Sequence, residues 1–431
     1  MTDLNTALNG SGVTDTGYWE SLASFYKKSS FGKFTPSYTV ASKYVSGLTP
    51  AQFYAKNSSS VTASSWILEQ AVANYKSVTG DNCTQFDHDG DGLIDAVIMV
   101  YSCHNTTQDA AIEAIDANND VFWAYCFWDY DNYANASKTS PIGLNYFWMS
   151  YDFLYEEAAS PKVDAHTLIH ESGHLMGLDD YYCYDSKTVG SSKVYPAPMG
   201  GVDMMDENVT DHDAFSKLAL NWTKPYVVTG NSRITLNPAE SSGDCILIPA
   251  KGSTWNGTAF DEYMLLELYT PTGLNELDST TKYSYDTQGY TLPGIRLMHV
   301  DARVAKYTVD NSGNVTGTSY VSSPSAALDS DYSYGVPQSN TPSRRATGEA
   351  KTKGYNLISL IQAGYPSNTL ANGANKGENA NLFHAGQSFN FSTYAAFFAK
   401  STTLDNGKAF GYTIAVESCS TTSATIAISE A

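Results

Sequence analysis

The sequence predicts an α/β first half followed by an all-β second half of sandwich type. Three observations carry this. Up to about Lys224, some stretches repeat apolar residues at helical spacing and others form short continuous apolar runs. Beyond it, short β-type runs follow one another, separated by polar loops. At 431 residues the chain also exceeds the roughly 100–200 residues typical of one domain. The division falls into 1–225 and 226–431.

In the first half, YWESLASFYKK places Trp19, Leu22, Phe25 and Tyr26 on one helical face, and SSWILEQAVANYKSV does the same with Leu68, Val72 and Tyr75. DAVIMVYSC (95–103) is a continuous apolar run and reads as a buried strand. DVFWAYCFW and LNYFWMSYDF are aromatic-rich and strand-like. A helix is expected over LIHESGHLM, and DAFSKLALNW (213–222) is the last helix of this half. In the second half, YVVTG, SRITL, CILIPA, EYMLLELYT, GIRLMHV, NLISLIQA, YTIAVES and SATIAIS are the strand candidates. The stretch from about 310 to 354 is polar and rich in Ser, Gly and Pro, which predicts an exposed insertion or mobile loop.

The net charge is −20, a field that repels phosphate backbones and anionic lipids, so neither nucleic acid nor a membrane surface is an expected partner. No apolar run approaches the ~18 residues of a membrane span. The six cysteines are Cys83, Cys103, Cys126, Cys183, Cys245 and Cys419. They form no C-x-x-C pair, which argues against a cysteine zinc site. They are also too sparse for a disulfide scaffold, although one or two bridges are compatible with the spacing. The polar start lacks an apolar signal core, as in a mature secreted chain or a cytosolic one. The Asn-x-Ser/Thr sequences at Asn105 and Asn135 read as chance in so polar a chain.

His170, Glu171 and His174 form H-E-x-x-H. Residues i and i+4 are neighbours on one helical face, so both imidazoles can reach one ion at about 2.0–2.1 Å. Glu171 is then placed to act as general base on a zinc-bound water. Asp164 is the candidate N-cap, and Gly177 offers the left-handed position that ends a helix. A chain that turns back at Gly177 brings Asp180 to the same ion, with Asp179 the competing third ligand. Two histidines and an aspartate leave one tetrahedral position open, as catalytic zinc requires. The bland alternative is an amphipathic helix with surface His and Glu.

PMGGVDMMDE (198–207) places a Met pair in a Gly-rich acidic loop. It makes sense if Met205 packs as the apolar floor beneath the ligands, the Met-turn of metzincin-type zinc peptidases. A core-filling methionine is the alternative. No Tyr follows Met205 two places on, so a fifth-ligand Tyr has no counterpart there. FDHDGDGLIDAV carries Asp87, Asp89, Asp91 and Asp95 at positions 1, 3, 5 and 9 of an EF-type loop, with Gly92 at the tight turn and Leu93 offering its carbonyl. Position 12 is Ile98 rather than Glu, and a strand follows in place of a helix. Four carboxylates so close repel one another without a cation, which points to structural Ca²⁺.

These residues resemble the immune inhibitor A family of secreted bacterial zinc metallopeptidases. HESGHLMGLDD is similar to that family's H-E-x-G-H-x-x-G-x-x-D, and FDHDGDGLIDAVIMVYS to its D-x-x-x-D-G-x-x-D stretch leading into an apolar strand. PMGGVDMMD with FSKLALNW resembles its D-x-M loop and S-K-x-x-L-x-W helix, and SLASFYKKSSFGKF its Y-x-x-x-S-Y-G-K segment. EYMLLELYTPTGLNE, GIRLMHVD and LISLIQAG resemble its β-rich C-terminal part, so the likeness is scattered from about Trp19 to Phe389. The resemblance implies a zincin-like, metzincin-type catalytic domain and a secreted zinc endopeptidase with structural calcium. It assigns zinc to His170, His174 and Asp180 and catalysis to Glu171. The chain departs from the family at YSCHN (101–105), where an H-x-G segment is usual, so substrate preference does not transfer.

The expected function is extracellular hydrolysis of protein or peptide substrates by a zinc-bound water that Glu171 activates, with Phe122–Trp128 offering an edge strand for the substrate. Host or matrix proteins are possible contacts of the β half. The alternative is a calcium-stabilised surface adhesin or glycan-binding protein with a vestigial peptidase domain.

Overall fold

A computed structural model of the chain describes all residues except 58–61, 159–160, 207, 284–287, 323–332 and 374. Glu207, the last residue of the Met-pair loop, therefore lies outside the described residues. The chain forms two compact units, one of Met1–Tyr26 and Thr35–Leu178, the other of Lys27–Phe34 and Asp179–Ala431.

The strands of the first unit are β1 (Leu93–Ile94), β2 (Val97–Tyr101), β3 (Tyr125–Trp128), β4 (Ile142–Gly143) and β5 (Asn145–Ser150). β1 pairs in parallel with β4. β5 is the centre of a three-stranded sheet, parallel to β2 and antiparallel to β3. β2 is only partly buried along its length, because it is an edge strand rather than a central one. Alternation along β5 sends Tyr146 and Trp148 to one face, where they join a core with Phe53, Leu68 and Phe122. The helix Ala63–Thr79 covers that face, and the Tyr146 hydroxyl bonds Ser64 Oγ (2.7 Å) and Ser65 Oγ (3.0 Å) at its first turn. The opposite face carries Phe147 and Met149, both fully buried, and Cys126 of β3, whose register partner is Phe147. The Cys126 thiol donates to the Glu171 carbonyl (3.0 Å), so this face meets the helix His166–Leu175.

The second unit holds β6 (Lys187–Val189), β7 (Ser192–Val194), β8 (Tyr226–Val227), β9 (Ser232–Leu236), β10 (Cys245–Pro249), β11 (Glu262–Tyr269), β12 (Gly294–Asp301), β13 (Ala305–Val309), β14 (Val315–Tyr320), β15 (Tyr334–Gly335), β16 (Ile358–Leu360), β17 (Ser388–Asn390), β18 (Tyr412–Cys419) and β19 (Ala424–Glu430). A five-stranded sheet runs β16-β12-β11-β10-β8, and a four-stranded sheet runs β17-β18-β19-β9. One core joins them face to face: Ile246, Met264, Leu266 and Leu297 from the first sheet meet Phe389, Ile414, Ile426 and Ile428 from the second. β18 and β19 bury every second residue, while β10, β11 and β12 are buried throughout. The outer face of the larger sheet is covered too: Arg296 of β12 pairs with Glu267 of β11 and donates to the Val202 carbonyl (3.0 Å). This is why residues 179–225 cluster with the β-rich part, so that the contact boundary at Leu178/Asp179 differs from a division at 225/226.

The polar stretch 310–354 is more ordered than its composition suggests. β14 and β15 lie within it and flank β13, which immediately precedes it, in a three-stranded sheet. Residues 337–341 are buried, and two of their amides donate inside: Gln338 to Asp301 Oδ1 (2.7 Å) and Asn340 to the Tyr181 carbonyl (2.7 Å). The part at 323–332 lies outside the described residues. No disulfide joins the six cysteines, and no described helix is long and apolar enough to cross a membrane.

Candidate metal centre

The motif helix spans His166–Leu175. Its N-cap position is Ala165 rather than Asp164, yet Asp164 Oδ1 accepts the His166 N–H (2.9 Å) and so still satisfies a first-turn donor. Tyr26, fully buried, donates its hydroxyl to the Ile169 carbonyl (2.7 Å) and pins the helix from the side. The helix ends as Gly177 takes φ +95° and the Leu178 N–H returns to the Gly173 carbonyl (3.1 Å).

This reversal carries the chain back over its own last turn. Donor atoms of His170, His174 and Asp180 come within 4.8 Å of one another. The two imidazole rings stand 4.9 Å apart at 84°. Asp180 joins this set and Asp179 does not; Asp179 Oδ1 instead accepts the Asp180 N–H (3.0 Å). The tautomer of His174 follows from its partner. Nδ1 lies 2.9 Å from the Leu178 carbonyl, which can only accept, so Nδ1 carries the proton and Nε2 presents its lone pair. Asp180 Oδ2 accepts the Tyr184 hydroxyl, which orients that carboxylate. Two imidazoles and one carboxylate suit Zn²⁺ or a similar divalent ion. Glu171 is outside the donor set, buried, one residue from the first imidazole.

Met205 is fully buried and part of the second unit. Its N–H donates to Asp203 Oδ1 (2.9 Å), and its carbonyl accepts the Tyr181 N–H (2.8 Å), which ties this loop to the residue after Asp180. Asp203 Oδ2 in turn accepts the Asp213 N–H (2.9 Å), and Asp213 caps the helix Ala214–Ala219. Burial pushes the carboxyls of Asp203, Asp213 and Glu267 up, and the Arg296 guanidinium partly offsets this for all three.

In the acidic loop, Asp87, Asp89 and Asp95 bring carboxylate oxygens within 4.8 Å of one another. Asp91 is not in that set; its Oδ1 accepts the Leu93 N–H (2.8 Å). Asp87 organises the turn by accepting the N–H groups of Gly90 (2.8 Å), Asp91 (3.0 Å) and Gly92 (3.0 Å). Gly92 has φ +95°, and a Cβ there would lie 2.7 Å from the Ser137 nitrogen, so only glycine fits. Leu93 opens β1.

Sequence reasoning missed Tyr184, Cys126 and His166. His166 stands one turn before His170, with ring centroids 6.2 Å apart, and the i, i+4, i+8 spacing was the available signal. Tyr184 and Cys126 carried none, since their roles come from tertiary contacts. No protein-family model and no curated protein matches the chain.

Proposed function

We propose that the chain is an extracellular zinc-dependent endopeptidase with a zincin-like catalytic domain. The observation that carries this reading is the convergence of His170, His174 and Asp180 beside a buried Glu171 that is not part of the donor set. Zinc held there would supply a Lewis acid that acidifies water and polarises the scissile carbonyl.

The residues then divide the work. Leu178 holds His174 in the tautomer that presents Nε2, and Tyr184 fixes the rotamer of Asp180. Glu171 takes the proton of the attacking water and returns it to the leaving amine. β3 is an edge strand that touches the motif helix through Cys126 and Glu171, and its outer edge suits an extended peptide added as a further strand. Calcium in the loop at Asp87, Asp89 and Asp95 would anchor β1, with Asp91 orienting the loop rather than joining the ligands.

The test is Glu171→Gln, which keeps shape and removes the base. Zinc content should stay at the wild-type level while casein cleavage falls by about 10²–10⁴-fold. Wild-type cleavage by that variant would remove the mechanism.

A further inference from the structure

A second cluster lies inside the β-rich unit. Glu262 opens β11 and His299 sits near the end of β12. The antiparallel register pairs Glu262 with Asp301 and His299 with Met264, so Glu262, Met264, His299 and Asp301 share one face. That face is the sandwich core, continued by Leu266 and Leu297. Asp405 comes from the loop ahead of β18, directly after the core residue Leu404. Glu262 is 2%, His299 5% and Asp405 2% exposed. A donor atom of each lies within 4.8 Å of the others.

We propose that Glu262, His299 and Asp405 bind a first-row divalent cation, of the Zn²⁺ class, as a structural site closing one end of the sandwich. His299 Nε2 and Glu262 Oε1 are 2.9 Å apart. Ligands at about 2.1 Å from one ion are separated by about 3.0–3.4 Å, so this pair is close to a coordination edge as it stands. Asp405 Oδ1 is buried and has no hydrogen-bond partner among the described residues. A proton does not resolve that. Glu262 already accepts the N–H groups of Asp405 (2.5 Å) and Asn406 (2.7 Å) besides His299, and no acceptor faces a proton placed on Oδ1. Arg303 bonds Asp301 twice (2.8 and 2.7 Å) and also stands 3.7 Å from Glu262 Oε2, so it offsets one of the three carboxylates Asp301, Glu262 and Asp405; one divalent ion neutralises the remaining two with His299 uncharged. One imidazole with two carboxylates suits Zn²⁺ or Mn²⁺ better than Ca²⁺.

This site is independent of the motif helix, and the experiment keeps the two apart. The full chain carrying His170→Ala and His174→Ala is stripped with chelator, returned to calcium and titrated with Zn²⁺ alone by calorimetry. One equivalent of tight binding is expected, and Asp405→Asn in the same background should weaken it at least 100-fold while circular dichroism stays unchanged. Co²⁺ on the parent should give a visible ligand-field band without thiolate charge transfer, which decides the matter even if Asp405→Asn does not fold. No Zn²⁺ uptake by the parent, or a thiolate-type Co²⁺ spectrum, would overturn the proposal.

Discussion

Asp278 should make the protein less stable as pH rises, and Asp278→Asn should abolish that dependence. The side chain is fully buried in the second unit. Oδ2 accepts one side-chain amide hydrogen bond, from Asn208 (3.3 Å), and Oδ1 has no partner among the described residues. Gly289 presses so close that a Cβ there would sit 2.1 Å from Oδ2, so no side chain can be added at that position to solvate the carboxylate. Burial is the largest influence, and it pushes the carboxyl from its ordinary 3.8 to about 8 against the opposing hydrogen bonds from Asn208 and the Gly289 backbone. The sign follows from proton binding. Below about pH 4 folded and unfolded chains both hold the proton, and no penalty exists. Between about pH 4 and 8 the unfolded chain loses it while the folded chain keeps it, so stability falls with rising pH and levels off above the folded value. At about 1.4 kcal/mol per unit over about 4 units, the ceiling is about 6 kcal/mol, and local relaxation will reduce what is measured. An asparagine in its place has the same shape and does not titrate. Urea unfolding of both proteins from pH 5 to 9 should show the variant gaining on the wild type steadily, by at least about 2 kcal/mol at pH 9. Parallel curves across that range would mean that Asp278 is ionised in the fold and the reasoning is refuted.

Chelation of the transition metal should remove proteolysis, and stoichiometric Zn²⁺ should restore it; activity that survives complete stripping would exclude a metal mechanism. Tyr184→Phe should weaken zinc affinity by about 10–100-fold with kcat nearly unchanged at saturating zinc, measured by competition with a coloured chelator. Unchanged affinity would remove Tyr184 from the site. Asp87→Asn should lower Tm by several degrees in calcium and by little in chelator, because the amide oxygen can still accept the turn's N–H groups but lacks the charge that the converging oxygens offer an ion. Equal losses in both conditions would make the loop a plain acidic turn.

Local periodicity made the motif helix legible. A spacing of four puts His170 and His174 on one face whatever else the chain does, and a glycine after the helix predicts the reversal that carries Asp180 back. Tyr184 and Cys126 were invisible for the opposite reason. One acts across a loop and the other across a sheet face, and neither offset is dictated by helix or strand geometry. The strand run EYMLLELYT was readable as β, but its two glutamates were not distinguishable. Alternation puts Glu262 on the core face with His299 and Glu267 on the outer face with Arg296. Which carboxylate meets which cation depends on register, and register is set by partners far along the chain. The stretch 310–354 is exposed or half-buried over most of its described residues, as its polarity suggests, but 337–341 is buried because the amides of Gln338 and Asn340 find acceptors inside.

The two candidate metal sites differ in what surrounds the same kinds of donor. At the motif helix, His174 is only partly buried, the third candidate donor comes from a turn, and a further carboxylate, Glu171, stands one residue from His170 outside the donor set. Chemistry needs that combination: an approach for substrate and an acid–base group distinct from the donors. In the sandwich, all three donors are buried, both carboxylates belong to the set, and the nearest further charges are Asp301 and Arg303, which pair with each other while Arg303 also reaches Glu262 (3.7 Å). An ion there has no route to substrate and no proton acceptor to spare, so its contribution is to stability. Loss of the first should therefore abolish turnover and leave the fold, whereas loss of the second should lower the unfolding temperature and leave turnover at low temperature intact.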